Sequence, residues 1–208
     1  ALTPGHALQL TIGTNKGRIF VAANHSAGGN LREHDVETNK AHCFYSDDHG
    51  NSWQLGDIVD MPGGNESIAA ELSEGSVIQN IRYKNASEKF RVLAFSRDGG
   101  AKWDTAYVSR EMPDPVCQGS MINLKYKGKH VLLFSNAASQ AKREKMTIRA
   151  STDDGKSWPF SLLIDSGVVA YSDLVDTSKS HVGLIYEKGN DGDIFYTNIP
   201  LKKIFQKK

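Results

Sequence analysis

Five side chains stand out by type and spacing as able to do chemistry together. Arg82 follows Glu66 by 16 residues, Tyr171 follows Arg143 by 28, and Glu187 closes an apolar run. A planar guanidinium grips a carboxylate through two parallel hydrogen bonds, which lysine cannot imitate. A phenol, with a pKa of about 10, becomes a nucleophile only with a base beside it. Each of the five also has a plainer reading. Arg82 ends a strand, Arg143 lies between Lys142 and Lys145 in a solvated loop, Tyr171 is a strand aromatic, and Glu187 precedes a Lys-Gly turn. Arg149 competes with Arg143, and Glu71 is a weaker alternative to Glu66. Other chemistries lack their residues. Cys43 and Cys117 stand far from any metal-like spacing and read as buried free thiols, and no His/Cys/Asp cluster has ligand spacing. No metal and no cofactor is expected.

The elements that must position these groups announce themselves by repetition. Ser46-Asp47-Asp48-His49-Gly50-Asn51-Ser52-Trp53 fits S-x-D-x-G-x-x-W, as do Ser96–Trp103 (with Asp98 and Gly100) and Ser151–Trp158 (with Asp153 and Gly155). The three starts are 50 and 55 residues apart, and the segments hold all 3 tryptophans. A period of that size signals a repeat architecture. Each copy follows a strand-like run (Ala41–Tyr45, Arg91–Phe95, Met146–Ala150), so the motif predicts a hairpin turn. The Asp bonds turn N–H groups, the Gly takes φ > 0, and the Trp opens the next strand and packs the hairpin down. These twelve box positions are structural, and Asp47 and Asp48 are not available as a catalytic acid.

Further strands are expected at 8–12, 18–23, 76–82, 120–125, 130–135, 168–174, 181–186 and 193–198, with one helix at 200–205. At four strands per blade this makes about four blades. The formal charge of +1 argues for neither nucleic acid nor membrane. Lys202, Lys203, Lys207 and Lys208 read as a solvated tail, and no run approaches the roughly 18 apolar residues of a span. Sequons at Asn24, Asn65 and Asn85 matter only in a secretory compartment. Secreted, lysosomal and periplasmic locations all remain open. The chain starts at Ala1, which suggests trimming or excision from something longer.

Three boxes at this spacing resemble the Asp boxes of sialidases, and five other segments extend the resemblance over nearly the whole chain. Asn65-Glu66, with Glu71-Leu72-Ser73-Glu74-Gly75-Ser76 and Asn80-Ile81-Arg82, is similar to the stretch supplying a catalytic glutamate and a carboxylate-binding arginine. Asp114–Ser120 looks like the blade that follows. Phe134-Ser135-Asn136 with Arg143 resembles the segment of a second arginine. Ala170-Tyr171-Ser172-Asp173-Leu174 resembles the nucleophile segment, and Gly183–Glu187 the final glutamate of the site. The chain is identified by these segments as similar to exo-α-sialidases of glycoside hydrolase family 33, with trans-sialidases as relatives.

The resemblance implies an all-β, partial six-bladed β-propeller spanning residues 1–208, with about four blades present and the N-terminal blades missing. It implies a retaining exo-α-sialidase acting on sialylated glycoproteins, gangliosides and oligosaccharides. Tyr171 would be the nucleophile and Glu66 its base, Arg82 and Arg143 would bind the sugar carboxylate, and Glu187 would support an arginine. A Tyr nucleophile is a known exception among retaining glycosidases. A negative carboxylate would be repelled from a carbon already bearing one. The family's first arginine, in an F/Y-R-I-P motif, and its acid/base aspartate have no counterpart here, so Glu187 is expected to lack its arginine and the isolated chain to lack significant activity. Two rival readings stand beside this one: a non-catalytic Asp-box propeller binding glycans or protein, and a four-bladed protein complete in itself.

Overall fold

The computed structural model describes residues 2–26, 38–84 and 87–206, which leaves Asn85, Lys207 and Lys208 outside the described residues. The chain divides into two compact units, one ending at Arg110 and the other starting at Glu111. All sheets are antiparallel.

The first unit is built on two four-stranded sheets. One runs in the order β1 (Leu8–Gln9), β2 (Ile19–Ser26), β3 (Asn39–Ser46), β4 (Gln54–Leu55). The other follows as β5 (Gly64–Glu71), β6 (Val77–Tyr83), β7 (Phe90–Ser96), β8 (Thr105–Pro113). Leu10, Phe20 and Cys43 bury their apolar atoms against Ala69 and Val77. Burial pushes the Cys43 thiol up to about 12, so it behaves as a small apolar side chain.

The second unit holds β9 (Gly119–Tyr126), β10 (Lys129–Ala137), β11 (Glu144–Ser151), β12 (Phe160–Ser178), β13 (His181–Lys188) and β14 (Asp193–Pro200) in one hydrogen-bonded succession. The 19-residue β12 serves two sheets. Its first half, to Val168, pairs with β11, and its second half, from Val169, pairs with β13. The described residues therefore make three four-stranded blades and a fourth of three strands. Leu133, Ile148, Leu174 and Leu184 fill the second core, capped by Leu201 and Ile204 of α1 (Leu201–Ile204). Pro200 ends β14 and precedes the helix rather than lying in its first turn.

Each Asp box joins the third and fourth strands of its blade, and the hydrogen bonds repeat. Ser46 Oγ donates to Asp48 Oδ1 (2.8 Å) and accepts the Gly50 N–H (2.8 Å), while Asp48 Oδ1 accepts the Ser52 N–H (2.8 Å). Ser96/Asp98/Gly100 and Ser151/Asp153/Gly155 do the same. Gly50, Gly100 and Gly155 take φ of 89°, 93° and 81°. Hydrogen bonds from Ser52 hold Asp48 down at about 2. The tryptophans are less uniform than expected. Trp158 is buried and Trp103 donates to Asp57 O (2.8 Å), but Trp53 is 47% exposed beside Phe44. The cause is local, since β4 after Trp53 has only two residues and offers little sheet to pack against.

Arg18 ties two boxes of the first unit together. It donates to both oxygens of Asp47 (2.7 and 2.9 Å) and to the carbonyls of Asp98 (2.9 Å) and Gly99 (3.2 Å). Its guanidinium lies 3.8 Å from the Tyr45 ring centroid. Arg18→Met keeps the stem but strands those carbonyls, so unfolding free energy should fall by about 2–3 kcal/mol. A change below about 0.5 kcal/mol in denaturant titration, the size of an ordinary surface substitution, would show the clip to be idle.

Candidate functional site

Glu66 lies on β5 where the ladder slips. Gly64 faces Tyr83 and Ser67 faces Ile81, so three steps on β5 answer two on β6. The extra residue makes a β-bulge, a device that re-aims a side chain out of the pleat. Arg82, opposite the bulge, donates from Nη1 to Glu66 Oε2. Both side chains are largely buried, at 15% and 17% exposure. They line a cavity of about 360 Å³ together with Asn24, Asn65 and Lys84. Asn65 Nδ2 donates to Asn39 Oδ1 (3.1 Å), which occupies the amide of one sequon.

Glu71, the alternative to Glu66, is engaged otherwise. It is buried, and its carboxylate accepts the N–H groups of Thr11 and Ile12 and the Thr11 hydroxyl at 2.6–3.0 Å. It holds β5 to the segment after β1.

Tyr171 lies in a bulge of the same form. Val169 faces Lys188 and Ser172 faces Tyr186, again three steps against two. Tyr171 occupies in β12 the position Glu66 occupies in β5, and Glu187 the position of Arg82, each pair 16 residues apart. Glu187, expected to lack its arginine, accepts the Tyr171 backbone N–H at its Oε2 (3.1 Å). The reason is the bulge, which takes that amide out of the regular ladder and leaves a side chain to satisfy it.

Arg143 comes to Tyr171 from the loop before β11. Its guanidinium carbon lies 5.7 Å from the Tyr171 ring centroid, and its carbonyl accepts the Val169 N–H (3.1 Å). Two register shifts in β11, around Met146, bend the strand just after this loop. Arg149 is engaged within the blade, donating to Asn136 Oδ1 (3.3 Å). Burial pushes its pKa below the usual range while Glu111 works against that shift. The five residues therefore fall into two groups, Glu66 with Arg82 in the first unit and Tyr171 with Arg143 and Glu187 in the second.

The sequence assigns no role to Gln118, Asn136 or Asp114, although all three are buried and Gln118 bonds the residue after Tyr171. Polar residues in an apolar setting were the available signal, but the bonds from Gln118 to Ser172 and from Asn136 to Asp114 span 54 and 22 residues. Among the described residues no group of three or more His, Cys, Asp or Glu is placed to hold a metal ion, and no helix is long and apolar enough to cross a membrane.

A sequence model of the BNR repeat-like domain matches residues 1–184. A sialidase of Micromonospora viridifaciens is 37% identical over 95% of this chain and 30% of its own length. Sialidase-2 of Rattus norvegicus is 27% identical over 99% of this chain and 57% of its own length. The solved structure of Hadza microbial sialidase Hz136 superposes with a TM-score of 0.83 at 30% identity, covering 98% of this chain and 38% of that one. The chain thus spans between about a third and just over half of the length of these relatives.

Proposed function

The chain belongs to the BNR repeat-like domain family and has the all-β, Asp-box propeller fold of the sialidases, and from that premise we propose that it carries the nucleophile side of a retaining exo-α-sialidase. The substrates in this reading are terminal sialic acids of glycoproteins, gangliosides and oligosaccharides. The observation that supports it most directly is the pair of matching bulges, each presenting one member of the Tyr171/Glu66 couple.

Sialic acid carries a carboxylate on its anomeric carbon. Arg82 and Arg143 bind that carboxylate as planar bidentate donors, together with a third arginine from outside these 208 residues. The Tyr171 phenol attacks the anomeric carbon as its proton passes to Glu66. The bond to the leaving oxygen breaks, and an aspartate outside these residues protonates that oxygen. The same aspartate then takes a proton from water, which displaces the phenol and releases sialic acid with retained configuration; Tyr171 recovers its proton from Glu66. A neutral phenol suits this carbon because an anionic nucleophile would be repelled by the adjoining carboxylate. Glu187 holds the Tyr171 amide throughout and does not touch the sugar.

A mechanism-based probe tests the nucleophile without relying on steady-state turnover. The whole natural protein, treated with 2,3-difluorosialic acid, should gain one sialyl adduct, and peptide mapping should place it on Tyr171. An adduct on any other residue, or turnover of sialosides with none, removes Tyr171 from the role.

A further inference from the structure

We propose that Gln118 is a positioning residue for Tyr171, acting on the main chain of Ser172; this rests on the nucleophile reading above. The bulge in β12 gives Tyr171 its direction but loosens the ladder that should hold it. On the edge of β12 away from β13, Gln118 takes the place of a neighbouring strand. Its Oε1 accepts the Ser172 N–H (2.9 Å) and its Nε2 donates to the Ser172 carbonyl (3.0 Å). One primary amide thus copies both hydrogen bonds of a ladder partner, on the residue that follows Tyr171. Gln118 is 3% exposed, so both bonds form away from water, where an unmade one is costly.

The segment that presents Gln118 is built for the task. Val116 has φ of 66°, a left-handed conformation that a β-branched residue adopts only when its surroundings impose it. Those surroundings are polar and buried. Asp114 Oδ2 accepts the Cys117 N–H (3.1 Å), and Asn136 Nδ2 donates to the Pro113 carbonyl (2.9 Å). Arg149 in turn bonds Asn136 Oδ1. Two residues further on, Ser120 Oγ donates to Asp173 Oδ1 (2.6 Å) and accepts the Leu174 N–H (3.1 Å). The backbone of β12 is therefore fixed by side chains on one edge and by β13 on the other. A strained turn aimed at the residue beside the nucleophile serves this role, because small misplacements of a reacting group cost rate.

A similar contact recurs in the first unit, after the Glu66 bulge. The Ser67 carbonyl accepts the Thr3 hydroxyl at 2.6 Å, and Ser67 Oγ accepts Gln79 Nε2 at 2.8 Å. Side-chain bonds to the residue after the bulge thus accompany both bulges.

The test uses the whole natural protein and a fluorogenic sialoside. Gln118→Ala should lower kcat by roughly tenfold to a hundredfold and leave KM within about twofold, because substrate binding is untouched while attack is misaimed. Gln118→Glu supplies a rescue that a merely structural role would not show. As a neutral acid its carbonyl oxygen accepts the Ser172 N–H and its O–H donates to the Ser172 carbonyl. Once ionised, it sets a negative oxygen against that carbonyl. The ratio of its kcat to that of the parent should therefore rise on the order of tenfold from neutral to about pH 5. Should Gln118→Ala fail to fold, the pH-dependent ratio decides alone. Amide exchange gives a reading independent of activity, with the Ser172 N–H losing protection in Gln118→Ala. A kcat within twofold of the parent in both variants, a ratio indifferent to pH, or an unchanged Ser172 exchange rate overturns the proposal. A parent protein without turnover or adduct removes the premise instead, and does so before any substitution is made.

Discussion

Tyr171→Phe in the whole natural protein is expected to reduce kcat for sialoside hydrolysis at least a thousandfold, the scale on which loss of a covalent nucleophile is felt. The substitution removes one oxygen. The ring remains beside Arg143, the backbone N–H still reaches Glu187, and the Ser172 clamp does not involve the side chain. Folding and carboxylate binding should therefore survive, with KM or the affinity for a sialic-acid analogue changed by little. That separation is what gives the variant its weight, because a destabilised blade would lose binding as well as rate. Release of a fluorogenic aglycone at near-parental rate would mean that another group attacks the sugar.

Glu66→Gln should cost about a hundredfold to ten-thousandfold in kcat, the usual worth of a positioned general base. An amide can still accept a hydrogen bond from Arg82, so the variant separates proton transfer from positioning. A kcat within about threefold of the parent's would assign the base to a different carboxylate. The buried pairing with Arg82 predicts a cost in KM as well, because removing the negative charge leaves the guanidinium less firmly placed for the substrate.

How far these residues were legible in advance depends on the range of the interactions that place them. The Asp boxes needed no tertiary information. Ser, Asp and Gly at fixed offsets satisfy one another within a span of seven residues, Ser46 to Ser52 in the first box, and the observed turns are those the spacing predicts. Short apolar stretches bounded by turn residues, such as those at 120–125 and 181–186, were legible for the same local reason. Gly64–Glu71 was not, being a run of small and polar residues whose burial comes from packing. The strand opened by Trp103 was expected, but Thr105–Pro113 mixes exposed and half-buried positions without a period, so its extent was not. The second half of β12 was recognised, but its continuity with the first half was not. A strand that changes partners midway has no single hydrophobic phase to read.

By itself the sequence determined the repeat, the all-β class, the hairpin chemistry and the identity of the side chains that resemble a sialidase site. Tertiary structure alone decided their directions. Bulges at Glu66 and Tyr171 arise from a mismatch between two strands, so neither strand encodes its bulge in isolation. The choice of Gln118, 54 residues before Ser172, as the group that closes the strand edge is likewise a product of neighbouring blades. Turn chemistry is written in adjacent residues because its hydrogen bonds span them; the aim of a side chain is set by whatever the fold brings alongside.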